Sequence, residues 1–196
     1  MAIRLHRMAD TNDSDSCPGA LAHAAFHAPA PVGMLTVWCS ATAVVRVDFG
    51  DTAGDDSPHP PEVLRTALRE LDEYFGGTRR TFTVPVAGEP ADPASFRTRA
   101  QAALSEIPYG AVWTYGELAA ASGSPQAARA AGTACATNPV PVIVPCHRVV
   151  PAGNPEQAVR RVGNYGGGAD MKRWLIAHER SHTPSNGTDK THPQSN

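Results

Sequence analysis

The sequence predicts an α/β (α+β) fold in which a small antiparallel sheet with one helix precedes a mostly helical domain. Three short β-like runs, LAHAAFHA, MLTVWCS and AVVRVDFG, follow one another within residues 21–50 and are separated only by short turn sequences, which is typical of an antiparallel meander. The segments beyond residue 91 instead have the composition and breaks of successive short helices. With 196 residues, of which 41% are hydrophobic, the chain is long enough to bury a sizeable core.

The first domain is predicted to span residues 21–90. After the three strand-like runs, PEVLRTALRELDEYFGG has apolar residues at helical spacing, with Pro61 suited to the first helical turn and Gly76-Gly77 suited to end the helix. TFTVPV is a candidate for one more strand. The Pro- and Ala-rich stretch AGEPADPA predicts a linker to the second domain.

The second domain is predicted to span residues 91–180. A first helix, SFRTRAQAALSEI, is followed by a short helix TYGELAAAS, a break at GSP and a further helix QAARAAGTACAT, for which Ser124 suits the N-cap and Pro125 the first helical position. Asn138-Pro139 ends that helix, and DMKRWLIAHER forms the last one. Two helices with a three-residue break have the spacing of a helix-turn-helix, although many helical hairpins share it.

The composition excludes some classes of partner and location. No apolar run approaches the length of a membrane span and the N-terminus has no signal-peptide pattern, so we expect a cytoplasmic protein without a membrane partner. Residues 1–89 carry a net charge of −5 and residues 90–180 a net charge of +3, which hints at an anionic partner, although ordinary surface charge explains it equally well. The polar segments 1–20 and 181–196 predict disordered tails.

The helix QAARAAGTACAT has an almost bare surface. Its small residues are Ala127, Ala128, Ala130, Ala131, Gly132 and Ala134. Tight packing inside the core is one interpretation of such a helix. The other is close approach to nucleic acid, in which Arg129, the one long side chain, enters a groove or fills the space of a displaced base.

The stretch PVIVPCHRVV contains the main candidate nucleophile, Cys146. A thiol has a pKa of ~8.5 and burial raises it, so an unassisted cysteine here would be an inert core residue. His147 can assist only if the chain turns at Pro145-Cys146, because neighbours in an extended strand point to opposite faces. A histidine base is usually oriented by a carboxylate. The downstream candidates are Glu156, Asp170 and Glu179.

The remaining cysteines give no metal signal. The four cysteines match no zinc or redox spacing and predict free thiols in a reducing compartment. Cys17, His23, His27 and Cys39 are candidate zinc ligands in the first domain, but their spacing matches no standard zinc pattern, so we predict no metal site. Cys135 is predicted to fill the core.

Three segments together resemble the O6-alkylguanine-DNA alkyltransferases: IPYGAVWTYGELA, AARAAGTACATNPVPVIVPCHRVV and VGNYGGGADMKRWLIAHE. The likeness runs from about Phe96 to Glu179, and NPVPVIVPCHRVV is its most specific part. Residues 21–90 match more loosely, in their strand-strand-strand-helix order and the LDEYFGG ending. The resemblance implies a ribonuclease H-like first domain and a winged helix-turn-helix second domain.

The resemblance also implies direct-reversal repair of DNA. The protein would bind double-stranded DNA with alkylated bases through the minor groove, as a monomer, and flip the damaged nucleotide into a pocket. It would transfer the alkyl group of O6-alkylguanine irreversibly to Cys146, and O4-alkylthymine is an open second substrate. No cofactor is required, and each molecule would act once, because a thioether is not reversed by thiolate exchange.

The same resemblance implies roles for individual residues. His147 would deprotonate the thiol through a water, Glu179 would orient the histidine, and Asn138 would brace the link from the recognition helix. Arg129 would take the place of the flipped base, while Tyr115 would push the phosphate backbone and help to bind the base. The other substrate- or DNA-binding residues it implies are Ala130, Gly132, Arg148, Val149, Tyr165 and Gly166.

The sequence departs from the family pattern at several positions. Arg97, Ala100 and Gln101 replace the residues usual in the first helix of the second domain, and Ala136 stands where a basic residue is frequent. The loop 151–164 is about six residues longer than usual, an insertion that a surface loop tolerates at small entropic cost. Its arginines, Arg160 and Arg161, are candidates to replace a lost phosphate contact.

Two other functions fit parts of the sequence. The first is that of a relative that binds alkylated DNA without transferring the group, but in such relatives the cysteine is replaced, commonly by Trp, whereas Cys146 is present here. The second is a thiol hydrolase on an unrelated fold, which lacks an evident oxyanion-hole loop and leaves the helix-turn-helix unexplained. Alkyl transfer is therefore the predicted function.

Overall fold

A computed structural model describes residues 21–87, 94–153 and 161–183. The predicted N-terminal tail, most of the predicted linker, and Glu156 and Arg160 of the long loop lie outside these ranges. The last helix continues to residue 181, where the predicted C-terminal tail begins, and residues 184–196 are outside the described part. Within the described residues, no helix is long and apolar enough to cross a membrane.

The first element is the predicted antiparallel meander. Strands β1 (Ala22–His27), β2 (Met34–Cys39) and β3 (Val44–Phe49) pair in the order β1-β2-β3. In the central strand the alternate residues Leu35, Val37 and Cys39 are fully buried, and helix α1 packs against this strand. The prediction of a three-stranded antiparallel sheet is confirmed.

Helix α1 (Glu62–Phe75) supplies the apolar face that covers the sheet. Leu64, Ala67 and Leu71 are fully buried, at the i, i+3 and i+7 spacing that places them on one side of the helix. The helix begins one residue later than predicted, since Pro61 has extended backbone angles and serves as the N-cap. It ends as predicted at Gly76-Gly77, where a Cβ atom on Gly77 would overlap the His182 ring.

TFTVPV does not form the additional strand that its pattern suggested. The backbone N–H groups of Thr83 and Val84 donate to the buried carboxylate of Glu70, at 2.8 and 3.1 Å, instead of to a neighbouring strand. Only one isolated bridge, between Val86 and Val44, joins this segment to the sheet. The backbone N–H groups that a strand would have paired with a neighbouring strand therefore donate to the Glu70 side chain of α1.

In its described residues, the second domain contains four α-helices and a short parallel ribbon. The helices are α2 (Phe96–Leu104), α3 (Tyr115–Ala121), α4 (Ala128–Ala136) and α5 (Gly168–Ser181), and the ribbon pairs β4 (Trp113–Thr114) with β5 (Val149–Val150). A capping box between Thr114 and Glu117 fixes the start of α3. Helices α3 and α4 pack together as the predicted helix-turn-helix.

Helix α4 begins at Ala128, three residues after the predicted start at Pro125. The predicted N-cap, Ser124, instead completes the end of α3, since its N–H donates to the Ala119 carbonyl at 2.9 Å. The Ser124 carbonyl then accepts from the Ala127 N–H, which closes a separate turn. The cap prediction was wrong because the Ser-Pro signal could not distinguish the end of one helix from the start of the next.

Residues 139–145 connect α4 to the turn that carries Cys146, and they pass through the core of the first domain. Val140, Val142 and Ile143 are buried in the same cluster as the sheet and α1. The N–H of Val47, in β3, donates to the Pro139 carbonyl at 2.9 Å. Val142 adopts φ +72°, a left-handed conformation rare for a β-branched residue, and its complete burial helps to hold it there.

Candidate active site

The chain turns sharply at the candidate nucleophile. Pro145 is followed by a single 3₁₀ turn, Cys146–Arg148, in which the Arg148 N–H donates to the Pro145 carbonyl at 3.0 Å. The turn required to make His147 useful to Cys146 is therefore present. Strand β5 follows at once, and its pairing with β4 fixes the position of the turn.

Cys146 is 4% exposed and lines a cavity of about 230 Å³. The Asn138 side chain organises this wall. Its Nδ2 donates to Sγ of Cys146 at 3.1 Å and to the Val144 carbonyl at 2.8 Å, and its Oδ1 accepts from the Val140 N–H at 3.1 Å. Asn138 thus holds both ends of the loop that carries the thiol.

His147 and Glu179 form a buried pair behind the thiol. His147 Nε2 lies 2.8 Å from Glu179 Oε1, and the two side chains are 0% and 1% exposed. A carboxylate accepts, so Nε2 carries the ring proton and Nδ1 is left with its lone pair. Among the described residues, Nδ1 has no hydrogen-bond partner. The free ring atom is therefore the one able to accept a proton.

Besides His147, three further residues hold Glu179, through four donor atoms. Arg148 donates through Nε at 2.9 Å and Nη2 at 3.0 Å, Tyr74 through its hydroxyl at 2.8 Å, and Gly110 through its N–H at 2.9 Å. Burial opposes ionisation of this carboxyl, but the hydrogen bond from His147 and the charge of Arg148 hold its pKa well below the usual range. The carboxylate is fixed and charged at neutral pH.

The electrostatics of the thiol and the imidazole favour their neutral forms at rest. Burial raises the pKa of Cys146, and the Asn138 hydrogen bond and the charge of Lys172 offset this only in part. Burial also lowers the pKa of His147, against the opposing effect of Glu179. A neutral thiol beside a neutral imidazole with a free nitrogen is the starting arrangement for general-base activation of a cysteine.

Two of the predicted substrate contacts lie elsewhere. Arg148 is 6% exposed, and its Nη1 donates to the Ile107 carbonyl at 2.6 Å while the rest of the guanidinium binds Glu179. These donors are used inside the protein, and the role of Arg148 as a DNA or substrate contact stays a prediction. The side chain of Val149 is fully buried in β5, which leaves only its backbone for a ligand.

The other predicted residues lie along a path from the surface to the cavity. Arg129 and Ala130 are exposed near the start of α4, whose last residues, Cys135 and Ala136, line the cavity. Tyr115 is half-buried at the start of α3, and a Cβ atom on Gly132 would lie 3.9 Å from its ring. Further cavity residues include Tyr165 and Gly166.

Sequence reasoning missed two walls of the cavity. Phe49, from β3 of the first domain, packs edge-on against Tyr165 at 5.5 Å, and a Cβ atom on Gly166 would lie 3.2 Å from its ring. No sequence pattern joins Phe49 to this site. Lys172 also lines the cavity, and its place between the apolar residues Met171 and Leu175 of α5 was an available signal.

The residues considered for zinc do not form a cluster in the described part of the chain. No group of three or more His, Cys, Asp or Glu residues suited to a metal occurs among the described residues, and Cys17 lies outside them. Cys39 is fully buried in β2, and His23 Nε2 lies 2.8 Å from the Asp55 carbonyl oxygen.

Comparison with known proteins identifies the family. Residues 95–181 match the DNA-binding domain of 6-O-methylguanine DNA methyltransferase, and residues 27–87 match its ribonuclease-like domain. The methylated-DNA–protein-cysteine methyltransferase of Mycolicibacterium paratuberculosis is 34% identical over 162 residues, which cover 81% of this chain and 93% of that protein. The enzyme of the same name from Methanosarcina acetivorans is 41% identical over 120 residues, 61% of this chain and 71% of that protein.

The solved structures agree with the sequence matches. The crystal structure of Mycobacterium tuberculosis OGT in complex with DNA superposes with a TM-score of 0.67 and 33% identity, over 82% of this chain and 94% of that one. Both domains are therefore covered by relatives of one kind. The chain belongs to the 6-O-methylguanine DNA methyltransferase family.

Proposed function

We propose that the protein repairs double-stranded DNA by moving the alkyl group of O6-alkylguanine to Cys146, once per molecule. The observation that carries this proposal is the thiol itself. It lines a cavity, accepts a hydrogen bond from Asn138, and precedes a buried histidine whose Nδ1 is free and whose Nε2 is fixed by Glu179. A related enzyme that has been solved with DNA has the same fold.

The reaction needs one proton transfer and one displacement. The thiol proton passes to Nδ1 of His147, through a bridging water where the two groups do not touch. The thiolate then attacks the alkyl carbon in line, the S–C bond forms and the C–O6 bond breaks. The electron pair stays on the guanine, which leaves more easily when a donor such as the Tyr115 hydroxyl hydrogen-bonds it. The product is a thioether at Cys146.

The direct test is a single-turnover transfer assay. A duplex with one O6-methylguanine is incubated with the protein, and the cysteine-containing peptides are analysed by mass spectrometry. We expect one methyl group on the Cys146 peptide and none on those of Cys39 or Cys135. Multiple turnovers, or methylation of another cysteine, would refute the mechanism.

Helix α4 is the proposed DNA-contacting element. Its exposed residues Arg129 and Ala130 are followed, towards its C-terminal end, by residues that line the cavity, so a helix laid in the minor groove would bring a flipped base near the thiol. The protein is proposed to bind as a monomer. A cytoplasmic location, where DNA and reduced thiols occur together, is part of the same proposal.

Arg129→Ala should impair repair of duplex DNA far more than reaction with free O6-benzylguanine. The arginine is proposed to occupy the space of the flipped base, and a free base needs no flipping. We expect the transfer rate from duplex to fall at least about tenfold, the equivalent of ~1.4 kcal/mol, with the free-base rate nearly unchanged. Arg180→Ala, an exposed arginine on α5, is the control for lost charge. Equal losses with both substrates would exclude the proposed role.

A further inference from the structure

Lys172 is a buried cation that the proposed reaction does not yet use. Its side chain lies in α5 and is 1% exposed, and in the parts of the chain that the structure describes its ammonium has no hydrogen bond and no ion pair. It lines the same cavity as Cys146 and Cys135, and its Nζ lies 5.9 Å from the ring centroid of Tyr115. Lysine is almost never fully buried unless it is paired, so this position calls for a physical reason.

Among the residues that the structure describes, no charged group around the cavity compensates Lys172. The Glu179 carboxylate is matched by the guanidinium of Arg148, which contacts it at 2.9 Å. His147 is held neutral by its burial, which lowers its pKa. Two thiols that can become negative line the same cavity, Cys146 and Cys135. Burial raises the pKa of Cys135 to about 12, and the proposed base, His147, directly follows Cys146, so Cys146 is the thiol that ionises in the reaction.

Burial of an unpaired ammonium costs folding free energy and gives nothing to the resting protein. The cation–π contact with Tyr115 recovers only a small part of that cost, at a distance near the limit of such contacts. An uncompensated charge is useful if the opposite charge forms during the reaction, because it then stabilises that state without rearrangement. Deprotonation of Cys146 creates such a charge within the cavity.

We propose that Lys172 stays protonated through the reaction and stabilises the Cys146 thiolate electrostatically from across the cavity. The inference rests on the proposed function, since it assigns a role in alkyl transfer. It separates two tasks: His147 receives the proton, while Lys172 supplies the charge that makes its release favourable. The opposing effects on the two pKa values agree with this role: the charge of Lys172 lowers that of Cys146, and Cys146 raises that of Lys172.

The test titrates the nucleophile directly. The rate of carbamidomethylation of Cys146 by iodoacetamide is followed against pH by mass spectrometry of its peptide, because only the thiolate reacts. For Lys172→Met we expect the midpoint to rise by about one pH unit, which at neutral pH means about tenfold slower alkylation. Methyl transfer should slow by a similar factor and recover at alkaline pH. Lys172→Arg, which keeps the charge, should stay near the wild-type midpoint.

A matched control separates this local effect from a change in net charge or stability. Arg173→Met removes the same charge from the adjacent and more exposed position and should leave the midpoint unchanged. Removing a buried unpaired charge should leave the thermal midpoint of Lys172→Met equal or higher. If that variant does not fold, Lys172→Gln provides the same comparison.

The outcomes are distinct. A folded Lys172→Met variant with an unchanged thiol titration would overturn the inference, as would an equal shift in Arg173→Met. A wild-type protein that shows the Lys172-dependent titration but transfers no methyl group would refute the proposed function and leave the electrostatic link between Lys172 and Cys146 standing.

Discussion

Cys146→Ala should abolish methyl transfer and leave the binding of duplex DNA intact. The substitution removes the atom that attacks the alkyl carbon, and no other group at the site takes its place, since His147 is buried and fixed by Glu179. The proposed DNA-contacting residues Arg129 and Ala130 are exposed at the start of α4, whereas Cys146 is buried. One sulfur atom is lost from a preformed cavity, so we expect a stability change of about 1–2 kcal/mol at most.

The control for this variant is the second thiol of the cavity. Cys135 lines the same space, and burial raises its pKa to about 12, so it should be inert. Cys135→Ala should therefore keep the wild-type transfer rate, measured with a labelled O6-methylguanine duplex, while electrophoretic mobility shifts report DNA binding by both variants. Transfer by Cys146→Ala would disprove the assignment of the nucleophile. Loss of both transfer and binding, with a normal thermal transition, would mean that Cys146 serves binding.

The sequence could predict elements whose determinants are local. The meander of β1, β2 and β3 follows from three strand-like runs separated by short turns, and α1 from apolar residues three and four apart. The turn at Pro145-Cys146 was predicted from a requirement of the chemistry, and the structure contains it as a 3₁₀ turn.

The errors arose where one residue had two possible partners. Ser124 could cap the start of α4 or complete the end of α3, and in the structure its N–H donates to a carbonyl of α3. TFTVPV had a strand pattern, but a carboxylate on α1 captured its N–H groups. In each case the local signal was real, and a competing hydrogen bond decided the outcome.

The site itself depends on contacts between distant segments, which one sequence does not encode in any pattern. From the residues alone, Glu156, Asp170 and Glu179 were equal candidates to orient His147, and only the resemblance selected Glu179. The structure places its carboxylate 2.8 Å from the ring. Phe49 comes from the other domain and left no signal, because its role as a cavity wall exists only after the domains pack.

The largest stability effect should come from Glu179→Gln. This buried carboxylate accepts hydrogen bonds from His147, Arg148, Tyr74 and the Gly110 N–H. The amide of a glutamine can accept only some of these hydrogen bonds, because its nitrogen is itself a donor. The guanidinium of Arg148, 6% exposed, would be left with a buried and uncompensated charge. Removing one member of a buried ion pair costs about 3–5 kcal/mol, and we expect the free energy of unfolding to fall by this amount in urea titrations.

Transfer should fall as well, on the order of a hundredfold or more, since a histidine base loses the carboxylate that fixes its tautomer. The rate is compared at a temperature where both proteins remain folded, which separates catalysis from stability. Glu106→Gln, at an exposed position after α2, is the matched control and should change stability by less than about 0.5 kcal/mol. A Glu179→Gln variant with wild-type stability and rate would contradict the proposed part of Glu179 in the site.

The pH dependence of stability gives an independent check of the same pair. The pKa of Glu179 is lower in the folded protein than in the unfolded chain, so at low pH the unfolded chain binds the extra proton. The stabilisation is therefore complete above the unfolded value of about 4.3 and is lost progressively as the pH falls below it. Glu179→Gln has no proton to bind at this position, so the difference in unfolding free energy between it and the wild type should shrink with acidification. A difference that stays constant from neutral to acidic pH would show that Glu179 is not ionised in the folded protein. Arg148 would then lack its counter-charge, and the argument that Lys172 is the uncompensated cation beside the thiol would fail.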